Sequence, residues 1–226
     1  MQNSYKRVDA HLSSLGYCSR SEIKKFLKMF SVCIDGQRIF DGSIKAHHNQ
    51  ITVENEALDP QTLTLLMNKP SSYVCSHSDN GKLIYSLLPM RYQRRNPQIS
   101  TIGRLDADTT GAILLTDDGE INHRLTSPKS SVKKIYEVTL AEPLKGDEST
   151  IFASGELLLR GEKKPLLAAK MEVTTPTLVK LEICEGRYHQ VKRMFGAVGN
   201  RVVALHRVSF GDFKIDDLAF GEYKIV

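Results

Sequence analysis

The segment GRLDADTTGAILLTDDG, Gly103 to Gly119, decides how the rest of the chain is read. TIGRLD, its left flank included, reads as a strand running into a turn, which leaves Asp106 at the lip of a sheet. Thr109, Thr110 and Gly111 can hold that turn through hydroxyl–backbone bonds and a backbone angle open to glycine. GAILLTDD then reads as a second strand, short, apolar and closed by turn residues. Four aspartates, at 106, 108, 117 and 118, fall in this one stretch. The plainest use of an aspartate in such a loop is an Asx turn. The functional alternative is a single carboxylate presented at a strand end. Asp108 reads as loop structure, and Asp117 or Asp118 as the cap of the following helix, where acceptors are favoured.

Outward from this segment the second half of the chain is strand-rich. TLTLLMNKP, KKIYEVTLAEP, LLAAKMEV and TLVKLEICEG all read as strands ending in turn residues. GEINHRLTS and QVKRMFGAVG read as helices, the latter with Val191, Met194, Phe195 and Val198 at helical spacing. Tyr136 falls in a strand-like run, where a tyrosine fills core or offers a ring for stacking and a hydroxyl for proton transfer. Between Gly186 and Arg207 the chain has five Lys/Arg, two histidines and no acid. That segment is either a solvated basic face or the source of a cation for a buried carboxylate. A desolvated aspartate needs such a partner to stay ionised.

The first sixty residues form a different kind of unit. Val8, Leu12 and Leu15 sit at helical spacing, with Gly16 as a stop. In SRSEIKKFLKMF, Ser19 and Glu22 fit a capping box, and Ile23, Phe26, Leu27 and Phe30 make one apolar stripe. Arg20, Lys24 and Lys28 make a basic stripe, with Lys25 beside it. SVCI-DG-QRIF reads as a hairpin turning at Asp35-Gly36. Residues 1–52 hold eight Lys/Arg against four Asp/Glu, most of the whole chain's net charge of +5. A basic helix face of this kind is either solvated or a docking surface for phosphates, where each contact adds affinity by releasing counterions. ENEALDPQT, residues 54–62, reads as a linker.

The 226 residues allow one large domain or two unequal ones. The expected class is α+β: an N-terminal domain over residues 1–60, of two helices plus a hairpin, then a mainly antiparallel-sheet domain over 61–226. Cys18, Cys33, Cys75 and Cys184 have neither zinc-site nor thioredoxin-like spacing and read as reduced thiols. With no apolar N-terminal run and no stretch long enough to span a bilayer, a soluble cytoplasmic protein is expected.

RVDAHLSSLGYCSRSEIKKFLKMFSVCIDGQRI resembles the S4 RNA-binding domain, over roughly residues 6–53. GRLDADTTGAILLTDDG, KIYEVTL and EGRYHQVKRMFGAVGNRVVALHR, in that order, resemble the RNA pseudouridine synthases, in the branch that carries an N-terminal S4 domain. The resemblance implies that Asp106 is the catalytic aspartate, that Tyr136 lies against the target base and that Lys192 pairs with Asp106. It implies that Leu205 packs in the pocket, and that Arg104, Thr109, Thr110 and Gly111 shape the catalytic loop. The expected RNA-binding set is Arg20, Lys24, Lys25, Lys28, Lys69, Arg187, His189, Gln190 and Arg193. No cofactor and no metal are expected. The implied partner is ribosomal RNA, with a uridine of small-subunit (16S) RNA in an assembly intermediate as substrate, acted on by a monomer. Large-subunit (23S) RNA and a non-catalytic RNA-binding assembly factor are the alternatives, and a magnesium nuclease built on the four aspartates is a third rival. Two departures from the family pattern are Ser72, where NKPSSY replaces a usual glycine, and Ala112, where leucine is usual.

Overall fold

A computed structural model describes residues 4–127 and 130–226. The chain folds into two compact units. The first joins the residues up to Thr64 with Tyr85–Ser100 and Thr116–Asp118; the second holds Leu65–Ile84, Thr101–Leu115 and Gly119–Val226. The contiguous division expected near residue 60 is therefore crossed twice by later segments.

In the first unit, strand β1 (Tyr5–Arg7) leads into helix α1 (Val8–Ser14). α1 stops at Gly16, whose φ of +80° allows a Schellman close: the Tyr17 N–H reaches the Leu12 carbonyl at 3.0 Å and the Gly16 N–H reaches Ser13 at 3.3 Å. A side chain at Gly16 would also run into the Arg91 carbonyl. Helix α2 (Ile23–Met29) begins with half of the expected capping box. The Glu22 carboxylate accepts from the Ser19 N–H at 2.9 Å, but the Ser19 hydroxyl donates to that carboxylate instead of capping the helix. Strands β2 (Val32–Ile34) and β3 (Gln37–Arg38) form the expected hairpin. Asp35 and Gly36 both have positive φ, +48° and +81°, as a type I′ turn requires.

Strand β4 (Lys45–His47) pairs with β1, and β5 (Ile51–Val53) pairs with β2. The expected linker is part of the sheet: Glu54 and Asn55 turn with φ of +51° and +66°, and β6 (Glu56–Ala57) pairs back on β5. Leu58 then joins a core of Val8, Leu12, Leu15, Leu27, Val32 and Ile51. The apolar stripe of α2 is narrower than its spacing predicts. Leu27 is buried and Ile23 and Phe26 are partly so, while Phe30 is exposed with its ring 4.7 Å from that of Phe26. Arg20, Lys24, Lys25 and Lys28 all face solvent.

The first unit also contains helix α3 (Met90–Gln93) and a buried ion pair that no sequence pattern announced. The Arg95 Nε lies 2.6 Å from the Asp117 carboxylate, with both side chains essentially inaccessible. Asp117 also accepts from the Leu63 N–H, and Arg95 donates to the carbonyls of Pro60 and Gln61. Asp117 therefore ties three segments together and is not the expected helix cap.

The second unit is built on a nine-stranded, mainly antiparallel sheet. Its strands include β7 (Thr64–Lys69); short β8 (Tyr73–Val74) and β9 (Lys82–Leu83) pair with each other in a separate parallel ladder. β10 (Ser100–Ile102) and β11 (Thr110–Thr116) flank the Asp106 loop, and helix α4 (Gly119–Thr126) follows. Next come β12 (Lys134–Leu140), helix α5 (Glu148–Ala153), β13 (Lys170–Thr175) and β14 (Leu178–Ile183). Helix α6 (Gln190–Ala197), β15 (Val202–Phe210), β16 (Phe213–Lys214) and β17 (Tyr223–Ile225) complete it. The main path runs β13-β14-β12-β15-β11-β7-β17. β11 pairs in parallel with β15, and its buried run from Gly111 to Thr116 matches its unbroken apolar sequence. Ala112, which stands where leucine is usual, is fully buried beside Leu66, Ile102 and Phe210. β15 and α5, together with the short strands β8, β9, β16 and β17, are elements of this unit that sequence patterning missed. α5 and α6 meet through Phe152 and Phe195, edge to face at 5.1 Å.

Removing one partner of a buried ion pair strands the other without solvent. Asp117→Ala is expected to lower the unfolding free energy by about 3–5 kcal/mol, measured by urea titration. A loss below about 1 kcal/mol would mean that the pair does not hold these segments.

Candidate active site

A row of directly opposed residues crosses the sheet from β14 to β11: Leu181, Tyr136, Arg207 and Gly111. Further along, Val138 faces Leu205. A register shift beside Tyr136 then brings Phe210 opposite Lys134. This row explains Gly111, which has φ +106° and whose missing Cβ would collide with the Arg207 backbone. The result is a cleft of about 490 Å³ whose lining includes Tyr136, Leu205, Arg207, Phe210 and Lys134 as well as Arg104 and Asp106.

Asp106 does not end its strand as expected; β10 stops at Ile102 and the carboxylate lies on the loop beyond. That loop is fastened from behind. Lys69 is fully buried and donates to the carbonyls of Thr109 (2.8 Å), Asp106 (3.0 Å), Ala107 (3.2 Å) and Pro70 (3.2 Å). Burial pulls its ammonium below the ordinary lysine range, against the opposing charges of nearby Asp108 and Asp106. Its expected place among RNA-facing residues is thus corrected, because an ammonium with no solvent exposure and four carbonyl partners cannot meet a phosphate. Three further bonds shape the loop. The Thr109 N–H closes on the Asp106 carbonyl, the Thr110 hydroxyl meets His206 Nδ1 at 2.8 Å, and the Ser72 N–H reaches the Ala107 carbonyl at 2.7 Å. Ser72 holds φ at +71°, the conformation glycine favours, at a cost of about 1–2 kcal/mol.

Two side chains from the start of α6 meet Asp106. Lys192 Nζ lies 3.2 Å from Oδ2, and His189 Nε2 lies 3.2 Å from Oδ1. The Asp106 side chain keeps 32% of its exposure, so it sits at the cleft rim. Asp108, expected to be loop structure alone, is closer still to Lys192, at 2.7 Å. Burial works against the Lys192 ammonium, but the hydrogen bonds it donates to Asp108 and Asp106 overcome it and raise its pKa. The Lys192 hydrogen bond in turn lowers the Asp108 carboxyl. A depressed carboxyl favours the fold above its ordinary pKa and loses that contribution as pH falls through the depressed value.

Arg187 and Arg193, also in this segment, are engaged by groups of the protein, while Arg201 is exposed. Arg187 spends its donors on Glu185, Glu162 and the carbonyls of Lys164 and Pro165; Arg193 binds Glu162 and the carbonyls of Tyr188 and Arg160. Gln190 is buried, with its side chain on the Arg187 N–H and Glu185. The acids that neutralise this stretch lie just outside it, at Glu185, and across the fold, at Glu162. Gln190 is therefore held within the protein, a correction to its expected RNA-facing place; Arg187 and Arg193 keep 22% and 27% of their side-chain exposure while engaged by these partners, and His189 stands at the carboxylate with its ring stacked on exposed Tyr188. Arg207, counted in the sequence only as one of five basic residues of the segment, is 2% exposed and lies opposite Tyr136. Among the described residues no three His, Cys, Asp or Glu side chains gather as a metal site, since Asp117 is committed to Arg95.

Lys69→Met is expected to leave the loop carbonyls without a donor and to cost about 1–3 kcal/mol. Polyanion affinity and its salt dependence should stay unchanged in filter binding. A reduced salt slope would restore Lys69 to the RNA-facing set.

Residues 63–197 match the family model described as RNA pseudouridylate synthase. The chain is 41% identical over 223 residues to "Ribosomal small subunit pseudouridine synthase A" of Haemophilus influenzae, covering 96% of this chain and 94% of that one. It is 40% identical over 225 residues to the protein of the same name from Escherichia coli K12, covering 96% and 95%. A solved pseudouridylate synthase superposes with a TM-score of 0.68 at 40% identity, over 98% of this chain and 96% of that one. Full-length likeness at this identity, on a sheet that brings the GRLDADTTG loop, Tyr136 and α6 to one cleft, places the chain in the RNA pseudouridine synthase family of isomerases.

Proposed function

We propose that this enzyme isomerises one uridine of small-subunit ribosomal RNA to pseudouridine, with Asp106 as its nucleophile and without a cofactor. The observation that carries the assignment of Asp106 is its pairing with Lys192 and His189 at the rim of the cleft floored by Tyr136 and Leu205. The substrate class is supported by relatives named for the small ribosomal subunit across nearly the whole chain.

The target uridine must leave its stack to enter such a cleft, at a cost of roughly a few kcal/mol. Residues 1–60 act as the S4-type docking unit that offsets this cost. The exposed row of Arg20, Lys24, Lys25 and Lys28 supplies the phosphate contacts. Tyr136 lies against the base, Leu205 packs beside it, and Arg104 stands exposed at the cleft mouth toward the flanking RNA. Asp106 then attacks as an ionised carboxylate, a role open to aspartate when it is held and aimed. Lys192 holds it in place. Tyr136 is placed to help take the proton from the ring carbon after the base rejoins the sugar.

Asp106→Asn should keep the fold and bind ribosomal RNA within about threefold of wild type, yet form no pseudouridine; normal conversion by that variant would remove Asp106 from the chemistry. Mapping pseudouridine across ribosomal RNA from cells lacking the protein should show one site missing from the small subunit. A site missing from the large subunit would reassign the substrate. Changing Lys24, Lys25 and Lys28 together to Ala should weaken RNA binding and lower the salt slope by about 1 for each phosphate no longer neutralised. An unchanged slope would remove the docking role of α2.

A further inference from the structure

The floor of the cleft carries two cations that form no ion pair among the described residues. Arg207 is 2% exposed and donates through Nε to the Ala112 carbonyl at 2.7 Å and through Nη1 to the Tyr136 hydroxyl at 3.5 Å. Its Nη2 is buried without a hydrogen-bond partner. Lys134, opposite Phe210 on the neighbouring strand, donates to the Val132 carbonyl. Both cations lie over the Phe210 ring, at 5.1 and 5.5 Å. Among the described residues neither is in an ion pair. Of the carboxylates lining this cleft, Asp106 is paired with Lys192 and His189, and Glu185 is engaged by Arg187 and Gln190. Cation–π attraction is weak beside the cost of burying an ion, so it does not make up the deficit. A buried guanidinium retained under that deficit is suited to a partner that brings negative charge.

The proposed reaction supplies one. When the C1′–N1 bond breaks, its electron pair leaves with N1 and spreads to the uracil O2 and O4. The sugar is made whole either by a bond from an Asp106 oxygen to C1′ or by transfer of a C2′ proton to Asp106 as C1′=C2′ forms. If Asp106 instead adds to C6 of the ring, the displaced π electrons come to rest on O4. In all three routes one negative charge moves from Asp106 to the base, and it returns when the base rejoins through C5. Lys192 and His189 stabilise the charge where it starts.

We propose that Arg207, supported by Lys134, stabilises the charge where it arrives, so that the cationic floor of the cleft acts as acceptor for the anionic base. The inference rests on the cleft admitting an extruded uridine, and it makes Arg207 an electrostatic determinant of the chemical step.

Single-turnover conversion of unmodified small-subunit RNA, read by tritium release from C5, tests it alongside RNA affinity and melting temperature. Arg207→Met should lose about 100-fold or more in rate with affinity within about threefold. Arg207→Lys, which keeps the charge, should recover at least about tenfold of that loss, a rescue that a purely structural role would not give. Lys134→Met should lose about tenfold with affinity unchanged. A folded Arg207→Met within about threefold of wild-type rate, or Arg207→Lys no better than Arg207→Met, overturns the proposal. Should Arg207→Met fail to fold, Lys134→Met decides: a loss of about tenfold supports the proposal and a wild-type rate overturns it. Absence of tritium release from the wild-type enzyme on any ribosomal RNA would instead defeat the functional reading on which this rests.

Discussion

The Lys69 ammonium is the interaction on which the site depends. It is fully buried and sits among the carbonyls of Pro70, Asp106, Ala107 and Thr109. Three N–H groups serve four acceptors, so at least one hydrogen bond is shared. Burying an ammonium costs several kcal/mol, and bonds from a charged donor return about 1.5–3 each. The arrangement therefore holds only if the loop keeps one shape, and that shape presents Asp106 to α6.

Charge is distributed around the cleft in opposition. At the rim, two carboxylates, Asp106 and Asp108, share Lys192, and His189 approaches Asp106 from the other side. At the floor, neither Arg207 nor Lys134 is in an ion pair among the described residues. Burial pulls the Lys134 ammonium below the ordinary range, and the Arg207 charge pulls it further. Such a field favours a reaction in which negative charge leaves a carboxylate and arrives on a ligand. Fixed charges are worth more inside a cleft than in water because they need not reorganise.

How much of this is legible in the sequence varies by element, for physical reasons. The α1 stop at Gly16 and the Asp35-Gly36 hairpin can be read because a positive φ restricts the residue locally. α6 is visible in its apolar spacing, and β12 and β14 in an alternation that buries Tyr136, Val138, Val179 and Leu181. β15 escapes because its buried positions include an arginine and a serine, and a bulge breaks its alternation. The segment 54–62 looks like a linker because its polar turn residues hide a two-residue strand. Glu162 could not be foreseen as the partner of Arg187 and Arg193, since it lies more than twenty residues from either.

The sequence by itself determined most of the element types, the Asp106 loop with its Thr-Thr-Gly support and, through a shared motif, the distant lysine that pairs with it. These follow from residue spacing and from motifs whose chemistry is local. Only the tertiary structure decided what each cation is for. Lys24 and Lys69 are chemically the same residue, yet one faces solvent and the other fastens the Asp106 loop. Arg193 neutralises Glu162, while Arg207 is buried and in no ion pair among the described residues. A side chain's charge is written in its identity, but its worth depends on desolvation and on the nearest opposite charge, and both are set by segments distant in the chain.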